Sequence, residues 1–363
     1  MSEQGFEHFK GSKALAGAAP FDVVALGSWL RANIDSFAGP LSIEQFKGGQ
    51  SNPTFKLITP KRNYVMRAKP GPAAKLLPSA HMIEREFAVM AALGKVAEAA
   101  IPVPRMLAQC TDEAVIGRAF FVMEMIEGRV LWDPALPGMQ PAERAAIFDE
   151  MNRVIARLHK VDFAAIGLAD YGKPGNYFER QISRWTKQYR ASETEKIDAM
   201  DKLIDWLPQH IPAGEEVAIV HGDYRMDNLI FHPTEPRVLA ILDWELSTLG
   251  HPLADFAYHC MTWQVPPDAF RGIAGLDLDA LGIPQLAPYI AQYCARTGRA
   301  AGIPNFDYYL AYNLFRMAGI LQGIMKRVVD GTAASAQAVA MGKAARPLAE
   351  LGWQVVERIK QKL

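Results

Sequence analysis

Cysteine is scarce in this sequence, and neither sign of charge is in excess. The three cysteines, Cys110, Cys260 and Cys294, are too few and too scattered in 363 residues for a disulfide framework or a cysteine-based zinc site. We expect them to be buried thiols. The 39 basic side chains balance 39 acidic ones, so no large net field draws the chain to nucleic acid or to an anionic membrane. A nucleic-acid partner is therefore not expected.

Long apolar runs are missing as well. The longest stretches, Val217 to Val220 and Val238 to Leu242, are far shorter than the roughly 20 residues that a membrane-spanning helix needs. The first residues, which include Glu7 and Lys10, carry neither the basic segment nor the apolar core of a secretory signal. These observations predict a soluble, cytoplasmic protein with no membrane partner.

The predicted secondary structure changes in character near residue 125. Before it, short apolar runs between turn residues predict strands, and apolar residues at helical spacing predict a helix from His81 to Val96. The strands are expected at Leu41 to Phe46, Thr54 to Thr59, Tyr64 to Ala68, Arg105 to Gln109 and Ala119 to Ile126. Later helices are expected at Ala142 to Lys160, Tyr177 to Arg190, Ile197 to Gln209, Pro284 to Thr297, Phe306 to Val329 and Ala333 to Lys360.

A chain of this length is expected to form one elaborate domain or two lobes. We predict an α+β, bilobal fold. Residues 1–125 would form a lobe with a five-stranded sheet and one helix, and residues 126–363 a mostly helical lobe. The last helix of the second lobe could mediate a homodimer.

Two acids and an amide are predicted to converge within the second part of the chain. The polar segment from His221 to Asn228 follows one apolar strand, and Asp243 ends another strand 20 residues after Asp223. Phosphoryl transfer needs a carboxylate that accepts the proton of the incoming hydroxyl, together with oxygen ligands for Mg²⁺. Asp223, Asn228 and Asp243 supply that set, although either Asp223 or Asn228 taken alone is more often a turn residue.

The spacing of Asp223 and Asn228 matches the catalytic loop of protein kinases. The chain nevertheless lacks the His-Arg-Asp, Asp-Phe-Gly and Ala-Pro-Glu signatures. Only 12 residues separate Asp243 from Asp255, which leaves no room for an activation segment. The sequence therefore does not resemble a protein kinase as such.

His-Gly-Asp with an asparagine five residues after the aspartate, followed by Leu-Asp-Trp-Glu, resembles the aminoglycoside phosphotransferase family and its choline and homoserine kinase relatives. The resemblance extends from about Phe46 to Tyr258. It includes, in matching order, Gly48-Gly49-Gln50-Ser51-Asn52, Val65-Met66-Arg67, Arg85-Glu86, Phe121-Val122-Met123-Glu124 and Arg157-Leu158-His159. It implies a protein-kinase-like fold, a nucleotide-binding first lobe, and ATP or GTP with Mg²⁺ as cofactors.

By this resemblance Asp223 would be the catalytic base, Asn228 and Asp243 would hold Mg²⁺, and His221 would brace the loop. Asp255, at the start of the next helix, would bond to the catalytic loop rather than to substrate. His159, His232 and His251 are too dispersed for an obvious zinc site and are expected to be structural.

Candidate nucleotide contacts lie in the first lobe. The turn that contains Gly49, Ser51 and Asn52 could bring backbone N–H groups close to phosphates, but it could equally be an ordinary hairpin turn. Arg67 is favoured over Lys69 as the cation for the α- and β-phosphates.

The acid that pairs with this cation is expected on the following helix. Glu86 is favoured, and a shifted helix register would substitute Glu84. In the alternative interpretation, this helix lies at the surface and its Glu-Arg-Glu face is solvated, without an ion pair to the cation. Glu124, Met125 and Ile126 could bind the adenine through backbone groups, and this role is compatible with a core strand.

The acceptor is the least determined part of the interpretation. The motifs around Asp223 and Asp243 look especially like the phosphotransferase domain that some proteins fuse to an acyl-CoA dehydrogenase, which suggests a hydroxylated acyl chain or its CoA ester. Candidate substrate residues are Arg225, Glu245 and Arg316. Arg316 either pairs with a buried acid, which is favoured, or contacts an anionic group of the substrate.

Other functions stay open at this point. An aminoglycoside would favour an acidic pocket and choline an aromatic cage, to which Trp244 and Trp263 could contribute. Homoserine-type kinases and a catalytically silent nucleotide-binding regulator are further alternatives.

Overall fold

The computed structural model describes residues 11–15, 19–47, 52–71, 82–96, 101–332 and 338–362. Contacts divide the chain into two compact units, each assembled from three segments. The first consists of Met1–Trp132, Phe163–Tyr171 and Asp227–Ser247, and the second of Asp133–Asp162, Gly172–Met226 and Thr248–Leu363. The first unit is based on β-sheet and the second is mostly helical, which confirms the α+β, bilobal prediction.

The first unit contains nine strands and two helices within the described ranges. They are β1 (Ser12–Ala14), α1 (Val23–Asn33), β2 (Ser42–Phe46), β3 (Thr54–Ile58), β4 (Asn63–Ala68), α2 (Ile83–Leu93), β5 (Met106–Cys110), β6 (Phe120–Glu124), β7 (Arg129–Val130), β9 (Leu229–Phe231) and β10 (Val238–Ile241). An antiparallel sheet has the order β1-β2-β3-β4-β6-β5, and a smaller one has the order β10-β9-β7. Leu26, Phe55, Tyr64 and Phe120 lie in the core of the large sheet.

The second unit is built from helices around one short β-ladder. Its elements are α3 (Pro141–Leu158), α4 (Tyr177–Ala191), α5 (Asp198–Trp206), β8 (Ala218–Val220), β11 (Thr248–Gly250), α6 (Pro252–Cys260), α7 (Pro267–Phe270), α8 (Leu278–Leu281), α9 (Leu286–Thr297), α10 (Phe306–Val329), α11 (Ala338–Lys343) and α12 (Ala345–Lys362). Strands β8 and β11 pair antiparallel. Every residue of α6 is buried, so this helix forms the centre of the unit.

Two predictions for the first lobe need correction. The large sheet has a sixth strand, β1, which pairs with β2 through Ser12 to Ala14. Helix α1 adds a second helix, and it begins where the Asp22 carboxylate accepts the N–H groups of Val24 and Ala25. Three residues are too few to show strand alternation, so β1 leaves no periodic signal.

The C-terminal prediction changes in a similar way. The described part of the expected helix from Ala333 to Lys360 is two helices, α11 and α12, which are separated at Ala344. The apolar face of α12, including Leu348 and Val355, is buried, and α12 packs on α10 and α5. Because this face packs against other helices of the same unit, the homodimer stays a prediction, and no interface is assigned to it.

Other expectations are met directly. Helix α10 has the predicted bounds, and all three cysteines are buried thiols. No helix in the described ranges combines the length and apolar character required to cross a membrane. The single boundary predicted near residue 125 stays a prediction. By contacts, the first unit runs to Trp132 and also includes two later segments, one of which is Asp227–Ser247.

Candidate active site

Arg67 is the centre of a charged cluster in the first unit. It lies on β4, opposite Thr54 of β3 and Phe121 of β6, and is 9% exposed. Its Nε lies 3.0 Å from Oε2 of Glu86, and its Nη2 lies 2.8 Å from Oδ1 of Asp243 and 3.6 Å from Oε2 of Glu245. Three carboxylates therefore surround one guanidinium group.

The expected ion pair between Arg67 and Glu86 is confirmed. Glu86 is 1% exposed, and its Oε1 also accepts a hydrogen bond of 3.0 Å from Nδ2 of Asn52. Burial is the main cause that raises the pKa of Glu86 to about 7; the Arg67 charge opposes this shift, and the nearby carboxylates of Asp243 and Glu245 add to it. Burial alone would lower the pKa of Arg67, but the acids hold it above its ordinary value. Arg67 therefore stays charged.

Lys69 occupies a separate position. Its Nζ pairs with Glu84, and both side chains are about one-third exposed. Arg67 on β4 and Lys69 just after it therefore pair with different acids of α2, Arg67 in a buried position and Lys69 near the surface. This arrangement supports Arg67 as the buried cation, while the phosphate contact itself stays a prediction.

Asp243 has an unusual backbone. It lies two residues after β10 with φ 64° and ψ 61°, in the left-handed region, and precedes a 3₁₀ turn from Trp244 to Leu246. This conformation is uncommon for a residue with a side chain, and such residues are concentrated at functional sites. Trp244 is 1% exposed and donates from Nε1 to the Ile241 carbonyl at 3.0 Å, which anchors the turn. The Asp243 side chain remains 34% exposed.

Asn228 and Asp243 are suited to a hard cation. The two are connected through the backbone, because Leu242 N–H donates to the Asn228 carbonyl at 2.8 Å. Carboxylate and amide oxygens are typical Mg²⁺ ligands, and Mg²⁺ usually takes few protein ligands beside phosphates and water. The described residues contain no group of three or more His, Cys, Asp or Glu suited to a metal.

A second cluster surrounds the loop after β8, in the second unit. The Asp255 carboxylate accepts the N–H groups of His221 and Gly222, each at 2.8 Å, and lies 3.2 Å from Nε2 of His159. Burial alone would raise the pKa of Asp255, but the interactions with His159 and His221 hold it below its ordinary value. Asp255 therefore fixes the loop backbone, as predicted.

Asp223 is held from two sides. The Tyr258 hydroxyl donates to its Oδ1, and Nε of Arg225 lies 3.0 Å from the same oxygen. Nη2 of Arg225 lies 3.4 Å from Oδ2. Burial, followed by the Asp223 charge, raises the pKa of Tyr258 well above its ordinary value, so the phenol keeps its proton.

Arg316 differs from the favoured expectation. It is 7% exposed, and its Nη2 donates to the Gly222 carbonyl at 2.6 Å. Its guanidinium carbon lies 5.1 Å from the ring centre of Tyr258 and 5.4 Å from that of Trp185. Among the described residues it forms no ion pair, because a carbonyl and two aromatic faces take the place of the expected acid.

The remaining candidates are less informative. Gly49 and Ser51 lie outside the described residues. Glu124 accepts the Arg105 N–H at 2.9 Å, and Met125 and Ile126 are half-buried after β6. The substrate candidates divide between the units: Glu245 lies near Arg67, whereas Arg225 and Arg316 lie near Asp223. Their roles toward nucleotide or substrate stay predictions.

The other contacts of the histidines and tryptophans are with structural elements. His159 also bonds to the Tyr293 hydroxyl at 2.7 Å, and Nδ1 of His251 accepts the Leu253 N–H at 3.3 Å to cap α6. Trp263 is buried against Phe148. Neither Trp263 nor Trp244 is exposed enough to form an open aromatic cage.

Tyr258 is the contact residue that sequence reasoning did not identify. A signal was present, because Tyr258 follows Asp255 by three residues on a helix and the two side chains therefore share a face. Once Asp255 is assigned to the loop, the next side chain along that face is expected to approach the loop as well.

The chain is similar to several known proteins. The profile of the phosphotransferase enzyme family, APH, matches residues 42–303. A crystal structure from Ralstonia eutropha JMP134, provisionally described as an aminoglycoside phosphotransferase, shares 64% sequence identity and a TM-score of 0.85, over 93% of this chain and 99% of that one. Choline kinase from Cryptosporidium parvum Iowa II shares only 13% identity but has a TM-score of 0.62, over 94% and 97% of the two chains.

The curated relatives are longer proteins. Acyl-CoA dehydrogenase family member 10 of Mus musculus is 47% identical over 332 residues, which cover 91% of this chain and 30% of the relative. Family member 11 of Homo sapiens is 39% identical over 356 residues, covering 96% of this chain and 45% of the relative. This chain thus spans less than half the length of either protein. The matched profile, the 64% identity and the shared fold show that the chain belongs to the phosphotransferase enzyme family APH.

Proposed function

We propose that the chain is a small-molecule kinase that transfers the γ-phosphoryl group of ATP, with Mg²⁺, to a hydroxyl of a hydroxyacyl compound or its CoA ester. The observation that carries the proposal is the held carboxylate of Asp223. Its loop backbone is bonded to Asp255, and its Oδ1 receives the Tyr258 hydroxyl. A base for phosphoryl transfer needs this kind of fixed orientation.

In the proposed reaction Asp223 accepts the proton of the acceptor hydroxyl. The hydroxyl oxygen forms a bond to the γ-phosphorus while the bond from phosphorus to the departing ADP oxygen breaks, so the products are a phosphate ester and ADP. A general base of this kind typically contributes about 10²–10⁴ in rate.

Residues of the first unit would hold the nucleotide. Oxygens of Asn228 and Asp243 would ligate Mg²⁺, and Arg67 would contact the phosphates from its position between the acids. When bound, Mg²⁺ neutralises the charge that develops on the β- and γ-phosphate oxygens. The surplus of carboxylates over guanidinium groups around Arg67 supports a cation at this position.

The proposed acceptor class is supported by the names of the curated relatives and by the burial of two tryptophans. The curated relatives bear acyl-CoA dehydrogenase names, which favours an acyl or acyl-CoA acceptor. A choline-type cage would need accessible aromatic faces, whereas Trp244 and Trp263 are 1% and 7% exposed. An aminoglycoside acceptor remains the second candidate, because one solved relative of this fold, APH(4)-Ia, was crystallised with ADP and hygromycin B.

The proposal is tested by Mg²⁺-dependent ADP release from ATP, and from GTP, against a panel of acceptors. The panel contains hydroxyacyl-CoAs, free hydroxy acids, aminoglycosides, choline and homoserine. We expect hydroxyacyl compounds to stimulate release, and Asp223→Asn to lower turnover about 10²–10⁴-fold while leaving Mg-ATP binding within a few-fold.

Other outcomes would redirect the proposal. Stimulation by another class would replace the acceptor. Binding of Mg-ATP without turnover of any acceptor would favour the catalytically silent regulator. Full activity in Asp223→Asn would remove Asp223 as the base.

A further inference from the structure

Helix α6 contacts the catalytic loop through two side chains on one face. Asp255 accepts backbone N–H groups of His221 and Gly222, and Tyr258, three residues later, donates to the Asp223 side chain. The first contact fixes the path of the loop, and the second fixes the functional carboxylate. Because α6 is buried along its whole length, both contacts come from a rigid element.

The Tyr258 ring is itself held in place. Tyr258 is 3% exposed, and the guanidinium carbon of Arg316 lies 5.1 Å from its ring centre. The same guanidinium group donates to the Gly222 carbonyl at 2.6 Å. Arg316 therefore connects the ring of Tyr258 to the loop that carries Asp223.

Two donors converge on one oxygen of the carboxylate. The Tyr258 hydroxyl and Nε of Arg225 both contact Oδ1 of Asp223. Rotation of the carboxylate about its last bond would break both contacts together. Nη2 of Arg225 also lies 3.4 Å from Oδ2, so contacts on both oxygens fix the plane of the carboxylate.

We propose that Tyr258 is a positioning residue for phosphoryl transfer, whose hydroxyl holds Oδ1 of Asp223 and so fixes the orientation in which the carboxylate meets the acceptor hydroxyl. Arg316 supports it by fixing the ring. This inference rests on the proposed function, because it assumes that Asp223 is the base. It assigns Arg316 to the support of Tyr258 rather than to substrate binding.

The kinetic test compares two tyrosine variants. Tyr258→Phe keeps the ring beside Arg316 and removes only the hydroxyl. Tyr308→Phe is the matched control, because Tyr308 is 2% exposed and its hydroxyl donates to the Leu207 carbonyl at 3.1 Å, outside the site. We expect Tyr258→Phe to lower kcat about 10- to 100-fold, with both KM values within about twofold, and Tyr308→Phe to keep kcat.

A merely structural tyrosine would behave differently. Tyr258→Phe and Tyr308→Phe would then lose similar stability in urea unfolding and both keep wild-type kcat, which would overturn the inference. A rise in the acceptor KM at constant kcat would assign Tyr258 to binding and would overturn it too.

A second readout does not depend on turnover. In protein labelled with ¹³C at the aspartate carboxyl carbons, the resonance that disappears in Asp223→Asn belongs to Asp223. We expect Tyr258→Phe to shift this resonance and Tyr308→Phe to leave it in place. An unmoved resonance would overturn the contact whatever the chain phosphorylates. A shifted resonance in a chain that phosphorylates no acceptor would retain the contact but overturn its catalytic purpose, together with the proposed function.

Discussion

At the scale of single residues, the balance of charge around Arg67 makes Asp243 the most informative position. Arg67 offers one positive charge to Glu86, Asp243 and Glu245. Glu86 is buried and bonded to Asn52, whereas Asp243 is one-third exposed. Of the three acids, Asp243 has the shortest contact with Arg67, at 2.8 Å, and the most exposed side chain, at 34% against 25% for Glu245.

Asp243→Asn is expected to weaken nucleotide binding only when Mg²⁺ is present. Loss of a charged oxygen ligand should lower the Mg-dependent affinity for ATP at least ~10-fold, while binding in EDTA should change little. Isothermal titration with and without Mg²⁺ measures both. Glu245→Gln, which removes the same charge beside Arg67, is the control, and an equal loss there would show that charge rather than ligation decides the affinity.

The sequence predicted some residue contacts and not others, for a physical reason. The pairing of Arg67 with Glu86 was predictable because the strand and the helix that carry them follow each other in the chain. The contact of Asp255 with the catalytic loop was predictable from the position of Asp255 after Asp243. The contact of Arg67 with Asp243 joins residues 176 positions apart. Strand alternation predicts the face on which Arg67 lies, but not which distant loop reaches that face.

At the scale of elements, a histidine at the start of α6 makes the stability of the fold depend on pH. His251 caps this helix by accepting the Leu253 N–H, and it packs against the rings of Phe178 and Tyr309. Burial lowers its pKa to about 4; the charge of nearby Glu216 opposes this shift, and the charge of Arg299 adds to it. Burial likewise lowers the pKa of His259 to about 4.

The acid sensitivity of the fold follows from these two values. The unfolded chain takes up a proton near the ordinary histidine pKa of about 6.5, but the folded chain does not until about pH 4. Protonation therefore favours unfolding, and stability is fully present above pH 6.5 and is lost as the pH falls toward 4.

His251→Asn should reduce this loss. Asparagine is itself a good helix cap but does not titrate, so the fall in unfolding free energy between pH 7.5 and 5 should be about 2 kcal/mol smaller than in the wild type. Urea unfolding at the two pH values measures it. An unchanged fall would mean that His251 takes up its proton in the folded state at an ordinary pH.

The elements themselves were predictable where they are long and periodic. Helix α10 matches its predicted bounds over 24 residues, because its apolar positions recur around most of the helix. Strand β1 has only 3 residues and depends on pairing with β2, which a sequence pattern does not reveal. The break between α11 and α12 did have a local signal, because Pro347 lies in the first turn of α12, and proline is tolerated at a helix start but not in a helix interior.

At the scale of the whole molecule, each unit is assembled from separated segments. The first unit needs Asp227–Ser247, which is flanked on both sides by segments of the second unit. It supplies β9, which pairs with β7, and Asp243, which pairs with Arg67. A division of the sequence at one position could not have predicted this assembly, because the segments that complete the first unit come long after the strands they contact.

This chain path makes joint unfolding of the two units the expected behaviour. Mg-ATP that binds only the folded chain, at a concentration 100 times its Kd, should add about 2.7 kcal/mol to the unfolding free energy. We expect hydrogen exchange under mild urea to show equal added protection in peptides from α2 and β4 and in peptides from α10 and α12. Asp223→Asn should keep this gain, and Asp243→Asn, whose affinity is at least ~10-fold lower, should lose about half of it or more. Added protection confined to the first unit would show instead that the two units open separately, despite a chain that passes between them five times.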